Sequence, residues 1–417
     1  MKRLINKILF GLTLTGGSLG LHSCGDWLDI NSNELAATKT EAGYLFNYAA
    51  INYSSKRVGG DQWLPIIYAA QVASDADNWF VGADMYNIST YATGNGWVTS
   101  YSSCGYNLLK AIEFATGEND SNSVAQCKIL LANTVWESSM LYGDIPYSEA
   151  WNIEGTQTPK FDTQKDVFYS VIGLLDEALD GIDESNSKRI DKYDIYYTGD
   201  MAKWRRLGNS LKLKFYMYLA NKEDVGDEIK AIIDGGELMN SSADDFVFPF
   251  YTTPGNQNPN YQLTVQYPDY YEYCFFANPT VLDPMKALDD PRIPIYFRAN
   301  ADGEYISLEA SEKGSVVTDK EISEKPSLCT EAVFQKNNLL RADYPDVICS
   351  YAETMFYVAE AYVRGLGVAK DLAQADAAYR KGIEASCVYN GVAAATAASF
   401  AAGVPSLSTL GGDDKAL

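Results

Sequence analysis

ILLANTVWESSMLYGDIPYSEAW, residues Ile129–Trp151, changes character halfway along, and that change sets the fold class. Ile129, Ala132, Trp136 and Met140 recur at spacings of three and four and so predict one buried face of an amphipathic helix. Gly143 follows, the residue type that ends helices in a left-handed turn. Pro146 then forbids further helix and pushes Ile145 into an extended conformation. The stretch reads as helix, stop, rigid corner.

The same period recurs on both sides of it. Residues 42–53 (AGYLFNYAAINY) read as a first helix, followed by helices at about 105–116 and 123–142. A helix over 163–182 places Val167, Val171, Leu174, Ala178 and Ile182 on one stripe, with Asp162 and Thr163 as cap candidates. Beyond Gly199-Asp200, the residues Trp204, Leu207, Leu211, Phe215 and Tyr218 form the clearest helical stripe in the chain. A short helix over 226–234 ends at Gly235-Gly236. Residues 351–386 read as helix, Gly365/Gly367 turn, helix, with Ala352, Met355, Ala359 and Tyr362 facing Leu372, Ala375, Tyr379 and Ile383. That 36-residue unit is close to the period of about 34 of tetratricopeptide hairpins.

Two stretches break the helical pattern. From Trp63 to about residue 104, glycines and aromatics alternate without a period, which reads as a loop insertion. Between residues 236 and 350 lie ten of the fourteen prolines, so few ordinary helices fit there. This second stretch reads as a loop-rich, partly β lobe, in which NPTVLDPMKALDDPRIPIYF holds at most two turns of helix. The fold class is therefore mainly α: a scaffold over 42–235, the loop-rich lobe over 236–350, and a last hairpin over 351–389. Residues 390–417 are rich in Ala and Gly and read as a tail.

Composition removes whole classes of function. The chain has 417 residues, 47% of them hydrophobic, and with 30 Tyr, 16 Phe and 7 Trp it can bury a large core. A formal charge of −22 repels nucleic acid, so no nucleic-acid partner is expected. The single histidine, His22, lies in MKRLINKILFGLTLTGGSLGLHS (1–23), whose basic start and short apolar run read as a signal peptide. Without it, Ser-His-Asp and Cys-His catalysis and every His-ligated metal are excluded. Cys24 after Leu21-His22-Ser23 approximates a lipobox, making it the candidate lipidated N-terminus, with residues 24–41 as a tether. Cys104, Cys127, Cys274, Cys329, Cys349 and Cys387 make no CxxC pair and read as isolated thiols.

Four separated stretches carry a resemblance. They are Cys24 with Asp26-Trp27-Leu28-Asp29; Tyr142-Gly143-Asp144-Ile145-Pro146-Tyr147; Lys203 to Lys212 (KWRRLGNSLK); and Ala352-Glu353 to Ile383. In that order they resemble the SusD/RagB-like family of outer-membrane nutrient-binding lipoproteins, and Asp290-Pro291-Arg292 resembles a recurrent element of its SusD-like branch. The resemblance implies a tetratricopeptide-like helical scaffold, anchored by lipid to the outer membrane and facing the outside of the cell. It implies an oligosaccharide or polysaccharide as ligand, or in some members a peptide, and a SusC-like TonB-dependent transporter as partner. It implies no covalent chemistry. Members continue with further helix near the C-terminus, so this chain is expected to be a shortened one.

Sugar recognition needs flat aromatics to stack on pyranose faces and polar side chains for the hydroxyls. Two loop patches offer both: Asp75, Asp77, Asn78, Trp79, Tyr86 and Trp97 in the first, and Tyr267, Tyr270 and Tyr271 in the second. The bland alternative is that Trp79 and Trp97 fill core beneath the loops. Trp136 and Trp204 lie on helix stripes and are assigned to the core, and Lys203, Arg205, Arg206, Lys212 and Lys214 to pairing with nearby carboxylates. Asp75-Ala76-Asp77-Asn78 begins like a calcium loop, but Trp79 occupies the next ligand position, so calcium is unsupported and no cofactor is expected. The rival classes are a glycoside hydrolase using two carboxylates, for which no pair can be placed, and a protein-binding helical scaffold.

Overall fold

A computed structural model describes residues 40–59, 73–75, 90–152, 154–266, 275–307, 333–334 and 341–410. Cys24, Asp77, Asn78, Trp79, Tyr86, Tyr267, Tyr270 and Tyr271 lie outside them, as do Cys274 and Cys329. Residues Glu41–Leu417 cluster as one unit.

In chain order the first half comprises α1 (Ala42–Val58), β1 (Ala73–Asp75), α2 (Thr90–Val98), a π-helical turn (Thr99–Gly105), α3 (Tyr106–Gly117), α4 (Ser121–Tyr142), α5 (Gln164–Gly181), α6 (Met201–Leu219) and α7 (Gly226–Gly235). The loop-rich stretch supplies β2 (Phe246–Phe248), α8 (Pro259–Gln266), β3 (Phe275–Ala277), α9 (Pro279–Ala287), α10 (Ile293–Tyr296), β4 (Phe297–Arg298), β5 (Val333–Phe334) and β6 (Asp346–Cys349). The C-terminal part is α11 (Tyr351–Arg364), α12 (Leu372–Tyr389), α13 (Ala394–Gly403) and α14 (Leu407–Leu410). Neighbouring helices pack as hairpins, α3 on α4, α4 on α5 and α11 on α12.

The helix ends follow from local chemistry. Thr163, Asp200 and Asp371 each accept hydrogen bonds from first-turn amides of α5, α6 and α12. Gly236 and Gly365 end α7 and α11 with left-handed φ of 67° each, a conformation that glycine adopts most readily.

Helix α4 departs from the two-faced helix that its spacing predicts. It is buried nearly all round, and several of its polar residues are paired inside the core. Asn122 donates to the carbonyl of Asp183 at 2.8 Å and accepts from its amide at 2.8 Å. Gln126 makes the same exchange with Ile190, at 2.8 and 3.0 Å. These pairings let amide side chains replace a solvent-facing stripe, while the Asn133 Oδ1 and the Trp136 indole N–H on the same helix are buried without a hydrogen-bond partner. Met140, placed on the buried face by spacing, is instead exposed, because the last turn runs clear of its neighbours before Gly143. Tyr218 is likewise exposed at the end of α6.

Three further expectations are corrected. Residues 90–105 are helical, not loop: packing against α1 and α4 stabilises a glycine-containing segment that has little helix propensity of its own. Residues 279–287 form a nine-residue helix with Pro284 inside it, longer than the two turns expected; Asn278 caps it and Pro279 occupies its first position. Residues 394–403 and 407–410 are helical too, in keeping with alanine's high propensity.

Little strand is present among the described residues. An antiparallel sheet runs in the order β1-β3-β5-β4, and β2 pairs with β6 through Phe246↔Cys349 and Phe248↔Asp346. Phe246 and Phe248 thereby join the main core, where Phe246 meets Trp204 with ring centroids 5.8 Å apart. Trp136 and Trp204 are buried, as their stripes predict. The cationic cluster of α6 pairs with carboxylates and carbonyls: Arg205 with Glu184 at 3.0 Å, Arg206 with Asp244 at 2.7 Å, Lys212 with Asp176, Lys214 with Glu353 at 2.9 Å, and Lys203 with the Ala243 carbonyl at 2.6 Å.

Candidate functional site

Asp75 and Trp97 are the two predicted site residues that fall in the described structure. Asp75 ends β1, where its backbone pairs with Phe275. Trp97 lies in the last turn of α2, half-buried, and its ring contacts are with Tyr101, Tyr142 and Phe161.

Those four rings form a shelf. Tyr101 tilts against the indole at 4.9 Å between centroids, and Tyr142 meets it edge-on at 5.2 Å. Phe161 stacks at 6.2 Å and 27° and is 63% exposed, so it presents a ring to solvent beside a supported tryptophan. Burial pushes the phenols of Tyr101 and Tyr142 upward, so both stay neutral hydroxyls at physiological pH.

The shelf is held from below by the corner that follows Gly143. The Tyr101 hydroxyl donates to the Pro146 carbonyl at 2.6 Å, and the Trp151 indole N–H donates to the Tyr101 carbonyl at 2.7 Å. That carbonyl also accepts from the Tyr106 amide, the five-residue step that makes Thr99–Gly105 a π-turn. Gly105 is required here: a Cβ on it would sit 2.2 Å from Cζ2 of Trp151. Ile145 and Asp162 bridge through both backbone pairs, at 3.2 and 2.9 Å, which joins the corner to the segment carrying Phe161. The Asp162 carboxylate then accepts from the amides of Tyr147 and Ser148 at 2.9 and 2.7 Å and from the Ser148 hydroxyl at 2.8 Å. Burial opposes its charge, yet these donors outweigh it and hold the carboxyl below the usual range. Asp144 accepts from the Gln164 amide at 2.9 Å at the start of α5. The aromatic rings are thus fixed on rigid elements, with Asp144, Glu149, Lys160 and Gln164 around the corner as polar neighbours.

On the inner side of the π-turn lies a buried charge network. Arg57 donates to Glu137 at 2.8 Å, to both oxygens of Asp346 at 3.0 and 3.2 Å, and to the Val347 carbonyl at 3.0 Å. The Tyr53 hydroxyl donates to Glu137 and accepts from Asn133 at 2.8 Å. Burial pushes the Asp346 carboxyl up while Arg57 pulls it down. This network ties α1, α4 and β6 together directly beneath Gly96, Thr99 and Ser100.

Among the described residues no group of three or more His, Cys, Asp or Glu is placed to hold a metal, and no helix is long and apolar enough to cross a membrane. Cys104, Cys127, Cys349 and Cys387 are buried thiols; burial pushes Cys104 up to about 12, out of reactive range.

Phe161 is the shelf residue that the sequence reading missed. It lies outside both aromatic loop patches, 64 positions after Trp97, and its one local signal is its place just before the Asp162-Thr163 cap.

Comparison with known proteins agrees with this architecture. No curated protein sequence matches the chain. Solved structures do: a SusD homologue from Bacteroides fragilis aligns with a TM-score of 0.64 and 24% identity, covering 87% of this chain and 76% of that one. A chitin-binding protein aligns at 0.73 and 21%, covering 88% and 80%, and a SusD/RagB family protein from Bacteroides thetaiotaomicron at 0.66 and 20%, covering 87% and 79%. At such identities these show a shared fold. The SusD-like family profile described as "Starch-binding associating with outer membrane" matches residues 33–405, nearly the whole helical scaffold and the loop-rich stretch, and the chain belongs to that family.

Proposed function

We propose that the protein is a cell-surface glycan-binding lipoprotein, anchored through Cys24, that captures oligosaccharide or polysaccharide and delivers it to a TonB-dependent transporter without covalent chemistry. The observation that carries this reading is the shelf of Trp97 and Phe161. It is a partly exposed pair of stacked rings on a corner fixed by Asp162, Tyr101 and Trp151. Flat apolar faces of sugar rings stack on such surfaces with little loss of side-chain freedom, because the rings are already held. Membership of a family described as starch-binding and outer-membrane-associated supports both the ligand class and the location. Hydrogen bonds to the sugar hydroxyls would come from the polar rim and from Asp77, Asn78 and the tyrosines at 267, 270 and 271.

Affinity electrophoresis of the full chain through gels containing starch, xylan, pectin, mannan or host glycans tests the proposal. Retardation by one polysaccharide that is lost in Trp97→Ala and Phe161→Ala is the expected result. A folded chain that none of them retards would refute it. Absence of hydrolysis of chromogenic glycosides is expected alongside, and release of the chromophore would transfer the protein to the hydrolases.

A further inference from the structure

A second cleft lies at the other end of the described chain, between the turn after α9 and helix α13. It encloses about 520 Å³ and is lined by Leu288, Asp289, Pro291, Thr396, Ser399 and Phe400. That volume falls within the range of small-molecule sites, about 300–1,000 Å³.

Both walls are fixed by buried or half-buried cations. Asp290 is buried and clamped by Arg292, whose Nε and Nη2 reach its two oxygens at 2.9 and 2.5 Å; the third arm of the guanidinium donates to the Ser386 hydroxyl at 2.7 Å. The 288–292 turn is thereby tied to α12. On the opposite wall, Arg380 pairs with Asp376 at 2.6 Å and donates to the carbonyls of Ala401, Ala402 and Val404, which fixes the end of α13. Ala397 and Ala401 bury one face of α13 against Ile383 and Cys387. Thr396, Ser399, Phe400 and Gly403, at spacings of three, one and three, turn the other face to the cleft.

The chemistry inside is selective. Asp289 holds a left-handed φ of 54°, and its exposed carboxylate stands at the rim beside the clamped Asp290. Thr396 and Ser399 add exposed hydroxyls, while Phe400, Leu288 and Pro291 supply an apolar floor. A carboxylate and two hydroxyls accept from and donate to vicinal hydroxyls, and a ring beside them takes an apolar pyranose face. The carboxylate disfavours an anion.

We infer that the Asp289–Phe400 cleft is a second sugar-binding subsite that engages a neutral glycosyl unit of a polysaccharide, away from the Trp97 shelf. This rests on the glycan reading and extends it: two sites on one protein hold a long chain by raising the effective concentration at the second once the first is filled. A short oligosaccharide gains nothing from the second site.

The test uses the full chain and two variants that spare the core. Asp289→Asn suits the left-handed backbone, which asparagine tolerates, and Ser399→Arg fills the cleft from an exposed helical position. Each is measured against the polysaccharide that retards the wild type and against its trisaccharide. The expected result is at least a fivefold loss for the polysaccharide in both variants, with trisaccharide affinity unchanged and Trp97→Ala abolishing both. Wild-type polysaccharide affinity in both variants, with Trp97→Ala still inactive, overturns the second subsite and leaves the first reading standing. No binding by any folded form overturns both.

Discussion

Arg57→Met should destabilise the protein by about 3–5 kcal/mol at pH 8, although methionine nearly conserves the volume of the side-chain stem. Arg57 forms ion pairs with both Glu137 and Asp346, whose side chains are 8% and 3% exposed. Its removal takes the ion-pair partner from two buried carboxylates and deprives the Val347 carbonyl of its donor. Each uncompensated group carries its full desolvation cost, whereas the intact network only roughly offsets it. The loss is a large share of the roughly 5–15 kcal/mol that holds a domain folded. The pH dependence has a definite sign. Burial already raises the Asp346 carboxyl, with Arg57 as the opposing influence. Without Arg57 the Asp346 carboxyl should titrate further above its unfolded value near about 4, so the folded state binds more protons. Its contribution is then most favourable below the unfolded value and is lost as pH rises through the raised one, so the penalty should shrink between pH 8 and pH 5. Urea unfolding followed by tryptophan emission at both pH values measures it, and Arg57→Met/Glu137→Gln/Asp346→Asn should recover most of the stability at pH 8. A loss under about 1 kcal/mol at pH 8, or an equal loss at pH 5, would refute the reasoning.

Three other outcomes are expected. Phe161→Ala should weaken polysaccharide binding by about tenfold, since aromatic stacking contributes about 0.5–1.5 kcal/mol beyond area burial; thermal melts should barely move, because the ring is 63% exposed, and a large drop in Tm would make Phe161 a core residue instead. Gly105→Ala gains helix propensity of about 1 kcal/mol yet should lower stability by about 1–3 kcal/mol, because its Cβ would lie 2.2 Å from the Trp151 ring; denaturant melts decide, and a stabilised variant would show that the indole moves freely. Asp245 is pushed up to about 6, by burial and by Asp244 against the opposing Tyr351 amide. Its raised value means that its contribution is fully present below about 4 and lost as pH rises toward 6, so wild type should lose about 2–3 kcal/mol relative to Asp245→Asn between pH 4 and pH 7. Parallel pH-dependent unfolding curves for the two would contradict it.

The amino-acid sequence by itself determined the helices, their ends and the family. Thr163 caps where the local pattern puts a cap, and Gly236 and Gly365 end helices at the glycines that mark their stops. These features act over three or four residues, so they survive without any knowledge of neighbours. The order of Tyr142–Tyr147, Lys203–Lys212 and Ala352–Ile383 was equally legible, because motif order is a property of the linear chain. Tertiary structure alone decided the rest. It made α4 a central helix, by pairing Asn122 and Gln126 with backbone more than 60 residues away, where a periodicity reading sees only polar positions. It folded Thr90–Gly105 into helix and π-turn against a core that its own glycines give no hint of. It also brought Phe161 onto Trp97 through the Ile145–Asp162 bridge. An aromatic surface assembled from segments this far apart has no local sequence signature, because the contacts that define it exist only once the chain has closed on itself.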